Sequence, residues 1–317
     1  MVAPLASVIV PTLNGAQLLP ACLDSLVQQT YTNLEVIVAD GASTDGTVGL
    51  LTDGYPTVRL LNLRRNAGFS GNVNAGLRAA RGDVLCLLNN DAQADPDWVR
   101  VCVETLLDQP KLGSVASKVL FADRHTINSA GDLMCTDGAP RQRGVGQPDG
   151  STWNLPGRVF GAMGGAAAYR RAMLADVGLL DERFFMYLED VDLAFRAQLL
   201  GWGCQYQPLA LAYHVGRASG GGQLESFCNG RNLIRLLAKN LPGELVPRML
   251  PEILRFQVSR ARAALGAWRG PAARATLRGQ LAGLAGLPRH LTDRRAIQRR
   301  RRVSAEALYA LLSPGGT

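Results

Sequence analysis

The stretch that decides the fold is Val84-Leu85-Cys86-Leu87-Leu88-Asn89-Asn90-Asp91. Its first five residues are all apolar, a pattern typical of a β-strand that is buried on both faces of a sheet. The run ends in polar residues, the last of which is a carboxylate. In open α/β sheets ligands bind outside the carboxyl ends of the strands, so the stretch predicts a site at one sheet edge.

Around this stretch, short apolar runs alternate with segments of helical periodicity. Strands are predicted at 7–10, 34–39, 58–61, 84–88 and 113–120. Helices are predicted at 18–26, after 40–46, from 66 to about 81, and from 96 to 107. Ser43 or Thr44 is expected to cap the second helix, and Asp95 the fourth, with Pro96 in its first turn. The alternation predicts a mostly parallel sheet with right-handed crossovers.

Two nucleotide-binding classes are excluded by missing motifs. The first strand is not followed by GxGxxG, and GxxxxGK[ST] occurs nowhere in the chain. These motifs cradle phosphates in dehydrogenases and P-loop NTPases respectively. The sheet is therefore expected to bind its nucleotide in another way.

The pattern becomes irregular over residues 121–160, which predicts a long loop or irregular hairpins. Arg141, Arg143 and Arg158 lie there, either solvated or in contact with an acidic substrate. Further on, 201–206 and 209–213 are predicted to be two short strands, and His214 follows at a loop edge. A lone histidine in such a place is either structural or a ligand.

Three carboxylates lie close together in Phe184-Phe185-Met186-Tyr187-Leu188-Glu189-Asp190-Val191-Asp192-Leu193-Ala194-Phe195-Arg196. On a helix beginning near Leu188, Asp192 and Arg196 form an i,i+4 pair. Glu189 and Asp190 fall in the first turn, where the helix dipole favours carboxylates. The aromatic neighbours are also what would raise a carboxylate's pKa toward that of a useful base. Both explanations remain open at this point.

Charge is distributed unevenly along the chain. The net charge is +8, yet residues 1–240 hold 20 Lys and Arg against 22 Asp and Glu. Residues 241–302 hold 14 Arg against 3 acids. An Arg-rich amphipathic segment containing Trp268 is typical of helices that bind a membrane surface, although packing on the main domain or on a second subunit also fits. Nucleic-acid binding is not expected, because no aromatic-basic module or zinc pattern accompanies the arginines.

Size and composition are those of a globular protein, with 317 residues of which 47% are hydrophobic and 19% are charged. The six cysteines show no CxxC pair, so buried thiols in a reducing compartment are expected. Without an apolar run of about 18 residues, the expected location is cytoplasmic, peripheral at the inner membrane face if the basic segment binds lipid.

Six motifs in order resemble the family 2 glycosyltransferases of the GT-A fold, most closely their rhamnosyltransferase-like branch. They are residues 8–14, 40–46, 66–69 and 88–91, Glu189 to Asp192 with Arg196, and Tyr213-His214. The resemblance covers about residues 7–240. It implies an α/β, GT-A type fold in which a mostly parallel, Rossmann-like nucleotide-binding sheet is flanked by helices and followed by a basic helical extension.

The resemblance implies inverting transfer of a sugar, with rhamnose as the candidate, from a UDP- or dTDP-sugar to a glycan or lipid-linked acceptor. Asp91 would ligate Mg²⁺ or Mn²⁺, and His214 would reach the same ion. Asp190 would take the proton of the acceptor hydroxyl, with Glu189 as the alternative base. The implied donor contacts are Pro11, Thr12, Asn14, Asp40, Asn66, Gly68, Phe69, Asn89 and Asn90, with Asn74 as a further candidate.

The expected organisation is a catalytic domain over 1–240 and a basic helical extension over 241–317. The nucleotide-sugar-binding half would be 1–120 and the acceptor-binding half 121–240. Expected partners are the donor, the acceptor, an inner-leaflet membrane surface and a second copy in a homodimer. Asn89 replaces the first acid of the family's Asp-X-Asp, so a nucleotide-sugar-binding scaffold with weak catalysis is the alternative.

Overall fold

A computed structural model describes residues 3–216 and 222–315. Within these residues a large sheet is covered by helices on both faces. The strands are β1 (Ala6–Thr12), β2 (Leu34–Asp40), β3 (Arg59–Asn62), β4 (Val84–Leu88), β5 (Ala92–Ala94), β6 (Leu112–Phe121), β7 (Ile127–Ser129), β8 (Asp132–Met134), β9 (Pro140–Gln142), β10 (Gly157–Val159), β11 (Ala166–Arg170) and β12 (Gly203–His214). The helices are α1 (Leu19–Val27), α2 (Thr47–Gly54), α3 (Gly68–Ala79), α4 (Trp98–Asp108), α5 (Arg171–Val177), α6 (Glu189–Leu199), α7 (Gly222–Asn240), α8 (Val246–Gly266), α9 (Pro271–Ala285), α10 (Leu287–Arg300) and α11 (Ala305–Tyr309).

The main sheet runs in the order β10-β12-β6-β11-β4-β1-β2-β3. Strands β4, β1, β2 and β3 are parallel neighbours, as are β6 and β12, whereas β11 is antiparallel to both β4 and β6. The carboxyl ends of β1, β2 and β4 therefore meet at one edge. This arrangement confirms the predicted α/β fold of GT-A type.

Strand β4 is buried on both faces, as its apolar run predicted. Val84, Cys86 and Leu88 contribute to a core that contains Trp98 of α4. The intervening Leu85 and Leu87 contribute to a second core on the opposite face, with residues of α3 and α5. Alternate side chains of a strand point to opposite faces, so a continuous apolar run serves both layers.

Three local predictions are wrong. Ser43 and Thr44 do not cap α2, whose N-cap is Gly46, and α4 begins two residues after Pro96, with Asp97 at its N-cap. The two short strands predicted within 201–213 are one strand, β12, in which the pairing with β6 shifts between Gln207 and Leu211. This irregularity lets the strand continue past Pro208, because a bulge tolerates a residue that cannot donate a backbone hydrogen bond.

A third core joins α6 to the C-terminal helices. Phe195 and Leu199 of α6 pack in one cluster with Leu236 of α7, Met249 of α8 and Leu308 of α11. The basic segment thus packs on the sheet-containing part through its own apolar residues. The division into domains at residue 240 stays a prediction.

Buried charges lie beside this third core. The Asp192 carboxylate is fully buried and lies 2.8 Å from Arg196 Nε and 2.8 Å from Lys239 Nζ. Asn240 Nδ2 donates to Asp192 Oδ1 at 2.8 Å. Burial alone would raise the pKa of Asp192, but the Lys239 and Arg196 charges outweigh burial and lower it. The predicted Asp192–Arg196 pair is confirmed, and α7 supplies a second cation.

Candidate active site

Thr12, Asp40 and Asn89–Asp91 meet at the carboxyl edge of the sheet. Thr12 pairs with Asp40 in the parallel ladder of β1 and β2, and β4 lies on the other side of β1. Asn90 Nδ2 donates to Thr12 Oγ1 at 2.9 Å. The loop after β4 is thereby tied to the end of β1.

A cavity of about 210 Å³ opens at this edge. Its lining residues are Pro11, Thr12, Leu13, Asn66, Gly68, Phe69, Asn72, Asn89, Asn90, Phe185, Met186 and Leu224. Seven of the nine predicted donor contacts are therefore brought together, whereas Asn14 and Asp40 do not line the cavity. A polar rim around an apolar interior is typical of small-molecule sites.

Asn14 and Asp40 form hydrogen bonds with the loop that follows β2. Asp40 is fully buried, and its carboxylate accepts hydrogen bonds from the Ser43 backbone N–H at 2.9 Å and from the Ser43 hydroxyl. Asn14 Oδ1 accepts from the Thr44 N–H at 2.9 Å. Ser43 and Thr44 therefore join β1 to β2 instead of capping α2.

Asn74, the further candidate for a donor contact, does not line the cavity. It is buried, its Nδ2 donates to the Leu180 carbonyl at 2.8 Å, and its Oδ1 accepts from the Leu180 N–H at 3.1 Å. A fully engaged side chain amide of this kind ties α3 to the segment before α6. Its role is structural.

Asp91 and His214 face each other beside the cavity. Strand β5, which starts directly after Asp91, pairs antiparallel with β12, and Ala92 lies opposite His214. The Val215 N–H also donates to the Asp91 carbonyl at 3.0 Å. As a result His214 Nε2 lies 3.1 Å from Asp91 Oδ1, with both side chains largely buried.

These atoms suit a divalent cation. Oδ1 of Asp91 and Oδ1 of Asn89 are buried and accept no hydrogen bond within the described residues. The described ranges contain no cluster of three or more His, Cys, Asp or Glu that could hold a metal. A site with few protein ligands suits Mg²⁺ and similar ions. These ions usually bind one or two carboxylates, and substrate phosphates and water complete their coordination shell.

Asp190 lies in the first turn of α6, as predicted. Its Oδ2 accepts from the Gly164 N–H at 2.9 Å, and its Oδ1 accepts from the Val191 N–H at 2.8 Å. A Cβ at Gly164 would lie 3.3 Å from Asp190 Oδ2 and 3.6 Å from the Phe69 ring, so Asp190 lies near the cavity wall. Burial raises the pKa of Asp190, and the backbone donors offset this only in part.

Glu189 is more enclosed than Asp190. It is 5% exposed, and its Oε2 has no hydrogen-bond partner within the described residues. Burial, followed by the charges of Asp190 and Asp192, raises the pKa of Glu189 well above its ordinary value. Such a carboxyl favours its neutral form, so it is less available than Asp190 as a base.

No sequence pattern indicates a role for Asp132, which lies in β8 inside the irregular region. Its carboxyl is buried, and burial together with the nearby charge of Asp190 raises its pKa well above the ordinary value. Asn72 was also missed as a lining residue, although its place one turn after Gly68 on α3 was a usable signal. Asp132 had no such sequence signal, because only the folded chain brings it near α6.

Of the three arginines that the sequence analysis singled out in 121–160, two are engaged within the protein. Arg141 pairs with Asp137 at 2.7 Å, and the Arg143 guanidinium lies 5.2 Å from the Trp153 ring centroid. Arg158 is exposed in β10. Arg158 is therefore the arginine of this group that keeps its side chain in solvent.

The loop before α6 is strained. Phe185, Tyr187 and Leu188 all have φ of 67°, in the left-handed region. Such conformations cost about 1–3 kcal/mol each for residues with a side chain, and they persist only where the surroundings hold them. On one side the Ser70 N–H donates to the Phe185 carbonyl at 3.1 Å. Gly68, with φ of +74°, allows this approach, since a Cβ there would lie 2.4 Å from the same oxygen.

Comparison with known proteins identifies similar chains. The family model described as "Glycosyl transferase family 2" matches residues 7–178, more than half of the chain. The N-acetylglucosaminyl-diphospho-decaprenol L-rhamnosyltransferase of Mycobacterium tuberculosis (strain ATCC 25618 / H37Rv) is 29% identical over 303 residues, covering 88% of this chain and 90% of that protein.

Among solved structures, a mannosyltransferase from Pyrobaculum calidifontis in complex with GDP-Man and Mn²⁺ aligns with a TM-score of 0.54 at 22% identity, over 97% of this chain and 79% of that one. GalNAc-T7 with UDP, GalNAc and Mn²⁺ aligns with a TM-score of 0.61 at 16% identity, over 75% of this chain and 48% of that one. These two likenesses concern the fold. Since the family model covers more than half of the residues, the chain belongs to glycosyl transferase family 2.

Proposed function

We propose that the protein is an inverting glycosyltransferase that moves a sugar from a UDP- or dTDP-sugar to a hydroxyl of a glycan or lipid-linked acceptor. The proposed sugar is rhamnose, and the proposed process is cell-envelope polysaccharide synthesis. The observation that carries the proposal is the convergence at one sheet edge of the cavity, the Asp91–His214 pair and Asp190. The relative from Mycobacterium tuberculosis, named as a rhamnosyltransferase acting on a decaprenol diphosphate, supports the choice of sugar and acceptor.

The nucleoside of the donor would lie against the ends of β1 and β2. Thr12 and Asn14 would contact it, and Asp40 would accept a hydrogen bond from a pyrimidine imino N–H. Although both Asp40 oxygens already accept bonds from Ser43, a carboxylate oxygen has a second lone pair to offer. Asn66, Gly68 and Phe69 would line the rest of the donor site.

Asp91 and His214 would hold a divalent cation beside the donor diphosphate, with the Asn89 amide oxygen at hand. When bound there, the cation supplies positive charge that stabilises the leaving diphosphate. Mn²⁺ suits a site with an imidazole ligand somewhat better than Mg²⁺ does. The Mn²⁺ in both solved structures of similar fold supports this choice.

Asp190 would act as the general base. As the acceptor oxygen bonds to the anomeric carbon from the face opposite the diphosphate, its proton passes to the Asp190 carboxylate, and the carbon–oxygen bond to the diphosphate breaks. Attack from the opposite face inverts the configuration. The raised pKa of Asp190 makes it a stronger base than an ordinary aspartate.

The C-terminal helices would hold the protein on the inner face of an anionic membrane. Exposed Leu250, Leu254 and Val258 recur every four residues on α8, and Trp268 follows in the next loop. The arginines around them outnumber the acids of the segment, two of which, Glu244 and Asp293, already pair with arginine. An apolar stripe with a basic rim fits an anionic lipid surface, where a lipid-linked acceptor would lie. Within the described residues no helix is long and apolar enough to cross a membrane.

The test is a turnover assay with a panel of nucleotide sugars and Mn²⁺, preceded by thermal-shift screening to find the donor. Release of the nucleoside diphosphate only when an acceptor is present supports the proposal. The rival, a nucleotide-sugar-binding scaffold, is favoured by the small number of ionisable ligands around Asp91. Donor binding without turnover over a broad acceptor panel would favour that rival.

A further inference from the structure

A single buried amide of α7 holds the strained loop in front of α6. The Asn232 side chain is fully buried, and its Nδ2 lies within hydrogen-bond distance of the carbonyls of Phe184 (3.1 Å), Met186 (2.9 Å) and Tyr187 (2.8 Å). Its Oδ1 accepts a hydrogen bond from Arg231 Nε at 2.9 Å. Both ends of the amide are therefore engaged, and its orientation is fixed.

Arg231 reinforces the same loop. Its Nη2 donates to the Phe184 carbonyl at 2.8 Å and to the Arg183 carbonyl at 3.3 Å. Backbone carbonyls in an irregular segment lie outside the hydrogen-bond ladders of helices and strands, so they need other partners. Arg231 and Asn232 do this from one side, while the Ser70 N–H approaches from the other.

The loop connects two parts of the proposed active site. Phe185 and Met186 line the cavity, and Leu188 is the N-cap of α6, two residues before Asp190. A change of backbone conformation at 185–188 would therefore move the cavity wall and the base together. Misplacement of reacting groups by about 1 Å can cost about 100-fold in rate.

Helix α7 is a firm support for this contact because α9 packs very closely on it. A Cβ at Gly230 would lie 2.6 Å from the Thr276 carbonyl oxygen, and one at Gly279 would lie 2.2 Å from that of Phe227. Only glycines allow the two backbones to come this near. The C-terminal helices thus fix α7, and α7 fixes the loop.

We propose that Asn232, oriented by Arg231, is a positioning residue for the transfer reaction: it holds residues 184–188 in the conformation that directs Asp190 and Phe185 toward the sugar of the donor. This inference rests on the proposed function. The nucleoside would bind at the ends of β1 and β2, whereas the Asn232 side chain, among the described residues, bonds only Arg231 and the loop 184–187. The affinity for the nucleoside should therefore not depend on this residue.

The test compares Asn232→Ala with Gln280→Ala in the full chain. Gln280 is a matched control, because it is also a buried amide, whose Nε2 bonds Gln257 on α8 at 3.1 and 3.0 Å and does not touch the loop. We expect kcat to fall about 100-fold in Asn232→Ala and to stay within about twofold in Gln280→Ala. The dissociation constant of UDP or dTDP, whichever the wild type binds, should change less than about threefold in either variant.

Arg231→Ala extends the test should Asn232→Ala fail to fold, since Arg231 is only partly buried and its removal leaves the amide in place but less well oriented. We expect kcat to fall about tenfold in this variant. A fall below about threefold in every folded variant, an equal fall in Gln280→Ala, or a loss of nucleotide affinity as large as the loss of kcat would overturn the inference.

Amide hydrogen exchange separates this inference from the proposed function, because it needs no turnover. Exchange in peptides covering residues 181–192 should rise about tenfold in Asn232→Ala and remain unchanged in Gln280→Ala. Unchanged exchange in Asn232→Ala would overturn the inference even in an active enzyme. A wild type that is inactive with every donor would overturn the proposed function, whereas the hydrogen-exchange result would still show whether Asn232 holds the loop.

Discussion

His214 Nε2 lies 3.1 Å from Asp91 Oδ1, and the opposite ring nitrogen, Nδ1, lies 3.0 Å from Asn128 Oδ1. An amide oxygen only accepts hydrogen bonds, so this contact places the ring proton on Nδ1. Nε2 is then the ring nitrogen that faces Asp91, where it either donates a proton to the carboxylate or, when unprotonated, can bind a metal.

The first prediction concerns Asp91. Asp91→Ala should abolish diphosphate release and weaken binding of the nucleoside diphosphate in the presence of Mn²⁺ by about 10- to 100-fold, because it removes the charged ligand. Calorimetric titration and a turnover assay measure the two effects. Asp97→Asn, at the partly exposed N-cap of α4, is the control and should keep full activity. Full turnover by Asp91→Ala would contradict the assignment.

A second prediction separates the two candidate bases. Asp190→Asn should lower kcat by about 10²- to 10⁴-fold while donor binding persists, since the amide keeps the shape of the side chain but cannot take a proton. Glu189→Gln should lower kcat less, because the enclosed Glu189 carboxyl favours its neutral form. Single-turnover assays with saturating donor measure both variants. A larger loss in Glu189→Gln would transfer the role of base to Glu189.

The pH dependence of kcat follows from the raised pKa of Asp190. The base works only when ionised, so kcat should fall as the pH falls, and the midpoint should lie above the ordinary aspartate value of 3.8. Activity would thus be lost at a higher pH than for a solvent-exposed aspartate. Nucleoside diphosphate binding over the same range serves as the control. A rate that stays constant down to about pH 4 would argue against Asp190 as the base.

Gly68→Ala should both destabilise the protein and weaken donor binding. Its Cβ would lie 2.4 Å from the Phe185 carbonyl oxygen at φ of +74°, so the loop must shift. We expect a loss of about 2 kcal/mol in the free energy of unfolding. Gly49→Ala is the matched control, because the exposed Gly49 of α2 has open space around its Cβ position. It should stabilise the protein by about 0.5–1 kcal/mol in chemical denaturation.

The proposed membrane surface predicts a charge-dependent interaction with vesicles. The protein should sediment with phosphatidylglycerol vesicles and not with phosphatidylcholine vesicles, and Leu254→Asp should weaken this binding about tenfold. Val27→Asp, at another exposed apolar position, in α1, should have no effect. If Leu254→Asp instead converts a dimer to a monomer in analytical ultracentrifugation, the surface serves a second copy of the chain.

Much of the fold could be predicted because the deciding strands are local features. The apolar run of β4 and the β-branched run of β1 are buried on both faces of the sheet, and this burial follows from the residues of each run alone. The start of α2 was missed because Ser43 and Thr44 form hydrogen bonds with Asn14, a contact that only the pairing of β1 with β2 makes visible. These tertiary hydrogen bonds hold both residues in the loop before the helix.

The site was predictable to the extent that its residues follow strands directly. Thr12 and Asn90 meet because parallel strands end at the same edge, and the cavity forms there. Asp132 and Asn232 could not be found in this way, since they reach α6 from distant, irregular or helical segments. The roles of Asp190, Glu189, Asp91 and His214 stay predictions until the variants are measured.

The shared core between α6 and the C-terminal helices bears on the order in which the protein matures. Asp192, Phe195 and Leu199 are covered by residues from 233 onward, which leave the ribosome later than α6 itself. The donor-binding sheet can assemble early in synthesis, as N-terminal parts of large chains generally do. The core around the helix that carries Asp190 is complete only after residues 233–308 have been translated, so the nascent chain would bind nucleotide before it could transfer sugar.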